Sequence, residues 1–68
     1  MNPTLEIFSQ GEEIVTGQTV DTNAAWLAQQ GVICGFTVTR HTAVGDKIND
    51  LVELLQNISQ RADCCICT

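Results

Sequence analysis

The connection Ser9-Gln-Gly-Glu-Glu-Ile-Val-Thr-Gly-Gln-Thr-Val-Asp-Thr-Asn23 runs from the end of one predicted strand into the start of a predicted helix. Gly11 and Gly17 bracket its acidic and apolar part, and Asp21 stands where a helix N-cap is expected. In open α/β sheets, ligands bind at polar, glycine-marked connections that follow the carboxyl ends of strands. This stretch therefore indicates both the fold class and the place of its ligand site.

Strands and helices alternate on both sides of this connection. The predicted elements are a strand at 5–9, a helix at 21–34, a strand at 36–44, a helix at about 46–60 and a strand at 64–67. This alternation favours a parallel sheet with right-handed crossovers. We expect a three-layer α/β/α fragment with strand order 2-1-3, a helix on each face, and a topological switch point between the first and third strands.

The two predicted helices differ in quality. In the first, Gly31 lies four residues after Leu27 on the face that should be buried, where glycine costs about 1 kcal/mol relative to alanine. We therefore expect Gly31→Ala to stabilise the chain. The second is expected to begin at an Asp46 N-cap and to bury one apolar stripe. That stripe consists of Ile48, Leu51, Val52, Leu55, Ile58 and Ala62.

The third strand, Cys64–Cys67, is a continuous apolar run of the kind found in strands covered on both faces. Its three cysteines, with Cys34 apart from them, lack the second cluster that a zinc site needs. We expect all four cysteines to be reduced, unligated and buried as small apolar side chains.

Size and charge restrict the classes of function. The 68 residues suffice for one small domain, and the net charge is −5 with three basic residues. An acidic chain is unsuited to general nucleic-acid binding, which needs a basic surface. No apolar run approaches the roughly 18 residues of a membrane span, and no signal peptide is evident, so a cytoplasmic location without membrane partners is expected.

The predicted topology brings the candidate binding residues to one edge of the sheet. The acids Glu12, Glu13 and Asp46 would meet the helix start near Asp21 and Asn23. Such a group could hold a Mg²⁺–phosphate unit. Each residue also has a structural interpretation: helix caps for the aspartates and the asparagine, solvated loop acids for the glutamates, and turn positions for the glycines.

Two further side chains are interpreted as non-catalytic. His41 has no serine or cysteine partner at a recognisable spacing and is expected at the surface near the end of the second strand. Trp26 is expected to be a packing residue or an oligomer contact. No catalytic residue is identified.

Several separated motifs, in order along the chain, resemble the start of a CinA-family protein. They are Gly11–Leu27, Gly35-Phe36, Thr42–Asp46, Arg61–Asp63 and a strand ending at Thr68. The N-terminal domain of that family is similar to the MogA- and MoaB-type domains of molybdenum-cofactor biosynthesis. Residues 1–68 would be the N-terminal portion of such a molybdopterin-binding-like domain.

The resemblance implies a site for a phosphorylated small molecule, either ADP-ribose-like or molybdopterin-like. It implies that the complete protein hydrolyses the pyrophosphate of ADP-ribose with Mg²⁺ or another divalent cation, and that a separate domain deamidates nicotinamide mononucleotide. The ligand-binding positions carried over are Gly11, Glu12, Glu13, Gly17, Asp21, Asn23 and Asp46. Among these, Glu12 and Asp46 are candidate metal ligands.

The family pattern continues beyond the third strand with a Gly-Gly-x-Gly-Pro-Thr-x-Asp-Asp segment that holds phosphate and adds acids. We expect residues 1–68 without that segment not to hydrolyse ADP-ribose at a useful rate. Two alternatives are a non-catalytic molybdopterin-binding module and an inactive fragment that self-associates through the unpaired edge of its third strand. Homo-oligomerisation is expected.

Overall fold

The computed structural model describes residues 2–68 and contains the predicted alternation of strands and helices. The elements are β1 (Thr4–Gln10), α1 (Glu12–Val15), α2 (Thr22–Ile33), β2 (Thr37–Val44), α3 (Ile48–Arg61) and β3 (Cys64–Cys67). One element differs from expectation: the segment predicted as a glycine-marked loop contains the four-residue helix α1.

The sheet has the order β2-β1-β3, and β1 pairs parallel with both neighbours, which confirms the predicted topology. The register between β1 and β2 is irregular. Leu5 aligns with Val38 but Glu6 aligns with Arg40, so Thr39 is an extra residue in β2. Such a bulge shifts every later side chain of the strand to the opposite face.

The first face of β1 packs against α2. Leu5, Ile7 and Ala24 are almost completely buried there. Partly buried apolar side chains surround them: Leu27, Ala28, Phe36 and Val38. The side chains of a strand alternate between faces, so Leu5 and Ile7 point to this side while Glu6 and Phe8 point to the other.

Gly31 explains how closely α2 lies on the sheet. This residue is buried, and a methyl group on it would lie 2.8 Å from Leu5 Cδ2 and 3.3 Å from Val38 Cγ2. The prediction that alanine stabilises this position considered helix propensity alone, whereas the missing side chain is what allows the close contact, so the structure favours the opposite sign.

The second face packs against α3 and combines apolar contacts with an ion pair. Phe8, Val44 and Ile58 are buried here, and partly buried Leu51, Leu54 and Ala62 pack against them. Glu6 is 1% exposed and binds Arg61 through two hydrogen bonds, from Nε to Oε2 at 2.6 Å and from Nη2 to Oε1 at 2.9 Å. The hydrogen bond from Arg61 lowers the pKa of the Glu6 carboxyl below its ordinary value.

The predicted apolar stripe of α3 is buried in part. Ile48 is 68% exposed, and Val52 and Leu55 are each 43% exposed. Leu54, which the stripe omitted, joins the core instead. The core-facing side of α3 is therefore rotated away from the predicted one, and three apolar side chains remain along one flank of the helix.

β3 exists where it was predicted, but it is not covered on both faces. All four of its residues are exposed, and it lies at the edge of the sheet. The four cysteines are free and exposed rather than buried. The expectation failed because an apolar run indicates a strand that can be covered, whereas the covering depends on elements packed against it.

Within residues 2–68, no helix combines the length and the apolar character needed to cross a membrane.

Candidate functional site

The carboxyl edge of the sheet, made by residues 10–13, 21–23 and 44–46, brings together three segments that are distant in sequence. At the end of β1, the Gly11 N–H donates to the Val44 carbonyl at 2.9 Å, and the Gln10 N–H donates to the Thr68 carbonyl at 3.1 Å. The end of the central strand is thus fixed to both of its neighbours.

Gly11 begins α1 in a backbone conformation that other residues rarely adopt. Its φ is 152°, and a methyl group there would lie 2.8 Å from Glu13 Cδ. Positive φ and the close approach of the Glu13 carboxylate both favour glycine at this position. The first of the two predicted glycines therefore has a structural role at the carboxyl edge.

Glu12 and Asp46, the two candidate metal ligands, are in direct contact. Glu12 Oε1 accepts a hydrogen bond from the Asp46 backbone N–H at 3.0 Å, across 34 residues of sequence. The contact uses the backbone of Asp46, not its carboxylate. Both residues are exposed, so the edge they share is open to solvent.

Asp46 is not the N-cap of α3, which corrects the sequence-based expectation. The helix begins at Ile48, and Lys47 occupies the cap position without a side-chain cap hydrogen bond. The Asp46 N–H is bound by Glu12, and the cap and the helix start each lie one residue later than expected.

Asp21 is the N-cap of α2, as predicted. Its Oδ1 accepts from the Ala24 N–H at 3.1 Å, and its Oδ2 accepts from the buried Ser9 hydroxyl. His41 Nε2 lies 3.7 Å from the same Oδ2. The Ser9 hydrogen bond, followed by the Ala24 hydrogen bond and the nearby His41, lowers the pKa of the Asp21 carboxyl.

The cluster of Ser9, Asp21 and His41 was missed by the sequence analysis. His41 is at the surface as expected, with 43% of its side chain exposed. The sequence pointed to no serine or cysteine partner for His41. Its neighbour in the structure is Asp21, which also binds Ser9. The Thr39 bulge aligns His41 with Ile7, and this alignment places His41 on the face of the sheet that α2 covers.

Two further predicted ligand positions, Gly17 and Asn23, are exposed. Asn23 is exposed in the first turn of α2, and Gly17 is exposed with a φ of 80° and open space around it. Trp26 is 60% exposed and so is not a core residue. As ligand contacts, all seven positions remain predictions.

The described residues do not fit a metal ion on their own. Within residues 2–68, no three histidine, cysteine, aspartate or glutamate side chains lie close enough to hold one. One oxygen of the Glu12 carboxylate is already bound to the Asp46 N–H. Mg²⁺ prefers six oxygen ligands in near-octahedral geometry, and these residues alone supply too few of them.

The chain is similar to known proteins in both sequence and fold. Residues 6–68 match the family described as "Probable molybdopterin binding domain". A CinA-like protein of Escherichia coli O9:H4 (strain HS) is 48% identical over 59 residues, which is 87% of this chain and 15% of the relative. A protein of Escherichia coli (strain K12) called "NMN amidohydrolase-like protein YfaY" matches with the same identity and coverage. The chain thus spans 15% of the length of these curated relatives.

The fold is shared with a solved structure. The crystal structure of the protein CinA with unknown function from Thermoplasma acidophilum aligns with a TM-score of 0.91 and 24% identity. The alignment covers 97% of this chain and 39% of that one, and at this identity it shows the fold alone. The family match over residues 6–68 shows that the chain belongs to the molybdopterin-binding domain family, and over 59 residues it is similar to CinA-like proteins.

Proposed function

We propose that this domain forms one wall of a binding site for a phosphorylated small molecule of the ADP-ribose type. In this proposal, the complete CinA-like protein is a metal-dependent ADP-ribose pyrophosphatase. The observation that carries the binding proposal is the joining of the segment after β1 to the segment after β2 at the carboxyl edge of a parallel sheet. Ligands of open α/β sheets bind at such a place.

The proposed contacts are exposed and polar. Glu13, Asn23 and Asp46 are exposed at the carboxyl edge. Because acids dominate this wall, a phosphate would need positive charge from a cation or from residues outside this wall.

A molybdopterin-like ligand is the second candidate, and the description of the matching family favours it. Pterin phosphates and ADP-ribose share the phosphate group but differ in the attached ring system. The amidohydrolase-like name belongs to a relative of which this chain covers 15%, and no observation at the carboxyl edge supports that chemistry.

The binding proposal is tested by titrating the isotope-labelled chain with ADP-ribose, a pterin monophosphate and inorganic pyrophosphate, each with Mg²⁺ and with a chelator. We expect the backbone amide signals of residues 10–13, 22–24 and 44–46 to move. Preference for the pterin would favour the second candidate. Changes confined to other residues, or none with any probe, would contradict a site at this edge.

A matched pair of charge changes sharpens the test. Asn23→Asp adds an acid at the carboxyl edge, and Asn57→Asp adds one at an exposed position of α3. We expect Asn23→Asp to weaken phosphate binding about fivefold through like-charge repulsion, and Asn57→Asp to leave it unchanged. Equal effects would mean that net charge, not position, governs binding.

The catalytic part of the proposal requires a separate assay. We expect a longer CinA-like relative to release AMP from ADP-ribose with Mg²⁺, and the 68-residue chain to release none at a useful rate. Comparable rates in the two proteins would place the whole reaction site within these residues.

A further inference from the structure

We propose that Glu12 is a positioning residue, which fixes the Gly45–Asp46 turn at the carboxyl edge and does not itself bind ligand or metal. The inference rests on the proposed function for its link to ligand binding. Its structural part stands on two independent observations, the hydrogen bond to Asp46 and the absence of a side chain at Gly45.

The first observation is the hydrogen bond itself. Glu12 Oε1 accepts from the Asp46 N–H at 3.0 Å, although the two residues are 34 apart in sequence. An ionised carboxylate is a strong acceptor for a backbone N–H. The bond joins the first turn of α1 to the segment that leads from β2 into α3.

The second observation explains Gly45. Its φ is not positive, so backbone conformation does not demand glycine there. A methyl group at this position would clash with Glu12 Oε1 and lie 2.9 Å from Glu12 Cδ. The absence of a side chain at Gly45 thus gives the Glu12 carboxylate the space it needs to reach the next N–H.

The neighbouring contacts make this a two-point attachment. Next to the Glu12 bond, the Gly11 N–H donates to the Val44 carbonyl at 2.9 Å. The two bonds together fix the residues that follow β2 against those that follow β1. The Asp46 side chain, a predicted ligand contact, therefore has its place set by Glu12.

A carboxylate at this edge can act either as a positioning residue or as a metal ligand. A positioning residue acts as a hydrogen-bond acceptor, and glutamine retains an acceptor oxygen of the same reach. A metal ligand needs the negative charge, which glutamine lacks. Glu12→Gln and Glu12→Ala therefore give different patterns for the two roles.

The structural test measures the hydrogen exchange of the residue 46 amide by NMR. We expect this amide to be protected in the wild type and to exchange faster in Glu12→Ala, which removes the acceptor, while Glu12→Gln stays close to the wild type. Unchanged exchange in Glu12→Ala would overturn the proposal.

The functional test compares ADP-ribose affinity with Mg²⁺ among variants. We expect Glu12→Ala to weaken binding about tenfold and Glu12→Gln to stay within about twofold of the wild type, because alanine removes the hydrogen bond and glutamine keeps it. Glu53→Ala, which removes an exposed acid of α3, is the control and should have no effect. Equal losses in the alanine and glutamine variants would overturn the positioning role.

A third measurement isolates the contact between Glu12 and Gly45. We expect Gly45→Ala to lower the urea midpoint of the wild type and to have a smaller effect in the Glu12→Ala background, where the carboxylate is gone. Additive effects would contradict the contact. If the wild type binds no ADP-ribose, the proposed function fails, while this measurement and the amide exchange of residue 46 still decide the role of Glu12.

Discussion

α2 and α3 cover opposite faces of the same central strand, and they do so by different means. α2 carries Gly31 on its core side, and because this residue has no side chain, the helix lies close to Leu5 and Val38 there. α3 has the more regular apolar stripe, yet Ile48 is exposed. An apolar stripe therefore indicates which side of a helix can be buried, whereas small residues determine how near the helix comes to the sheet.

The two faces also differ in their polar contacts. On the α2 face, Ser9 and Asp21 form a neutral-to-charged hydrogen bond beside the helix start. On the α3 face, Glu6 is buried and depends on Arg61 for its charge balance. The α3 face should consequently be the more sensitive to loss of a single charged side chain.

We expect Arg61→Ala to be strongly destabilising. It would leave the buried Glu6 carboxylate without its hydrogen-bonded partner, with only the weaker attraction of Arg40 to offset its charge. The measurement is the urea midpoint at neutral pH, with Lys47→Ala as the control, since Lys47 is an exposed cation at the other end of α3.

The same variant has a distinctive pH dependence. Without Arg61, burial should raise the Glu6 pKa, so the deficit should shrink as pH falls and the carboxyl becomes neutral. An effect no larger than that of Lys47→Ala, or a deficit that grows on acidification, would show that the ion pair does not govern this face.

We expect Gly31→Ala to lower the free energy of unfolding by about 1–3 kcal/mol, because overpacking at Leu5 outweighs the gain in helix propensity. Gln29→Ala, at an exposed position of α2, is the control for placing alanine in this helix. In a Leu5→Val background, which removes the clashing methyl group, the loss should be smaller. A higher midpoint for Gly31→Ala would mean that Leu5 moves aside without cost.

We expect Asp21→Ala to lower the free energy of unfolding by about 1 kcal/mol through loss of the cap, whereas Asp46→Ala stays within about 0.5 kcal/mol. Because the folded-state pKa of Asp21 is lowered, its contribution is present above the unfolded value of about 3.9 and is lost as pH falls through the folded value. Asp21→Asn should therefore flatten the acid side of the stability profile. Equal losses for the two alanine variants would contradict the assignment of the caps.

We expect Val52→Thr, on the exposed flank of α3, to change the free energy of unfolding by less than about 0.5 kcal/mol. For comparison, the truncation Ile58→Ala at a buried position of α3 should lower the free energy of unfolding by about 2–5 kcal/mol. A loss above about 1 kcal/mol for Val52→Thr that grows with protein concentration would show that a second copy covers this flank. Sedimentation at several concentrations supplies the independent measurement.

The sequence predicted the features that depend on local pattern and on chain connectivity. The order β2-β1-β3 follows from alternation and the handedness of crossovers, and the Asp21 cap follows from its position before an alanine-rich helix. The specific hydrogen bonds and the strand register were not predicted. The bond from Glu12 to Asp46 removes the expected second cap, and the Thr39 bulge brings His41 to Asp21, neither of which periodicity can show.

The central position of β1 has a consequence for how the chain folds during synthesis. β1 leaves the ribosome before both of its partner strands, and its contact with the segment before β3 joins Thr4 to Asp63 across 59 residues. Until those residues emerge, Leu5, Ile7 and Phe8 have no complete sheet to enter. Contacts this remote in sequence slow folding, so the newly made first strand is the segment that most needs protection from aggregation or early capture by a chaperone.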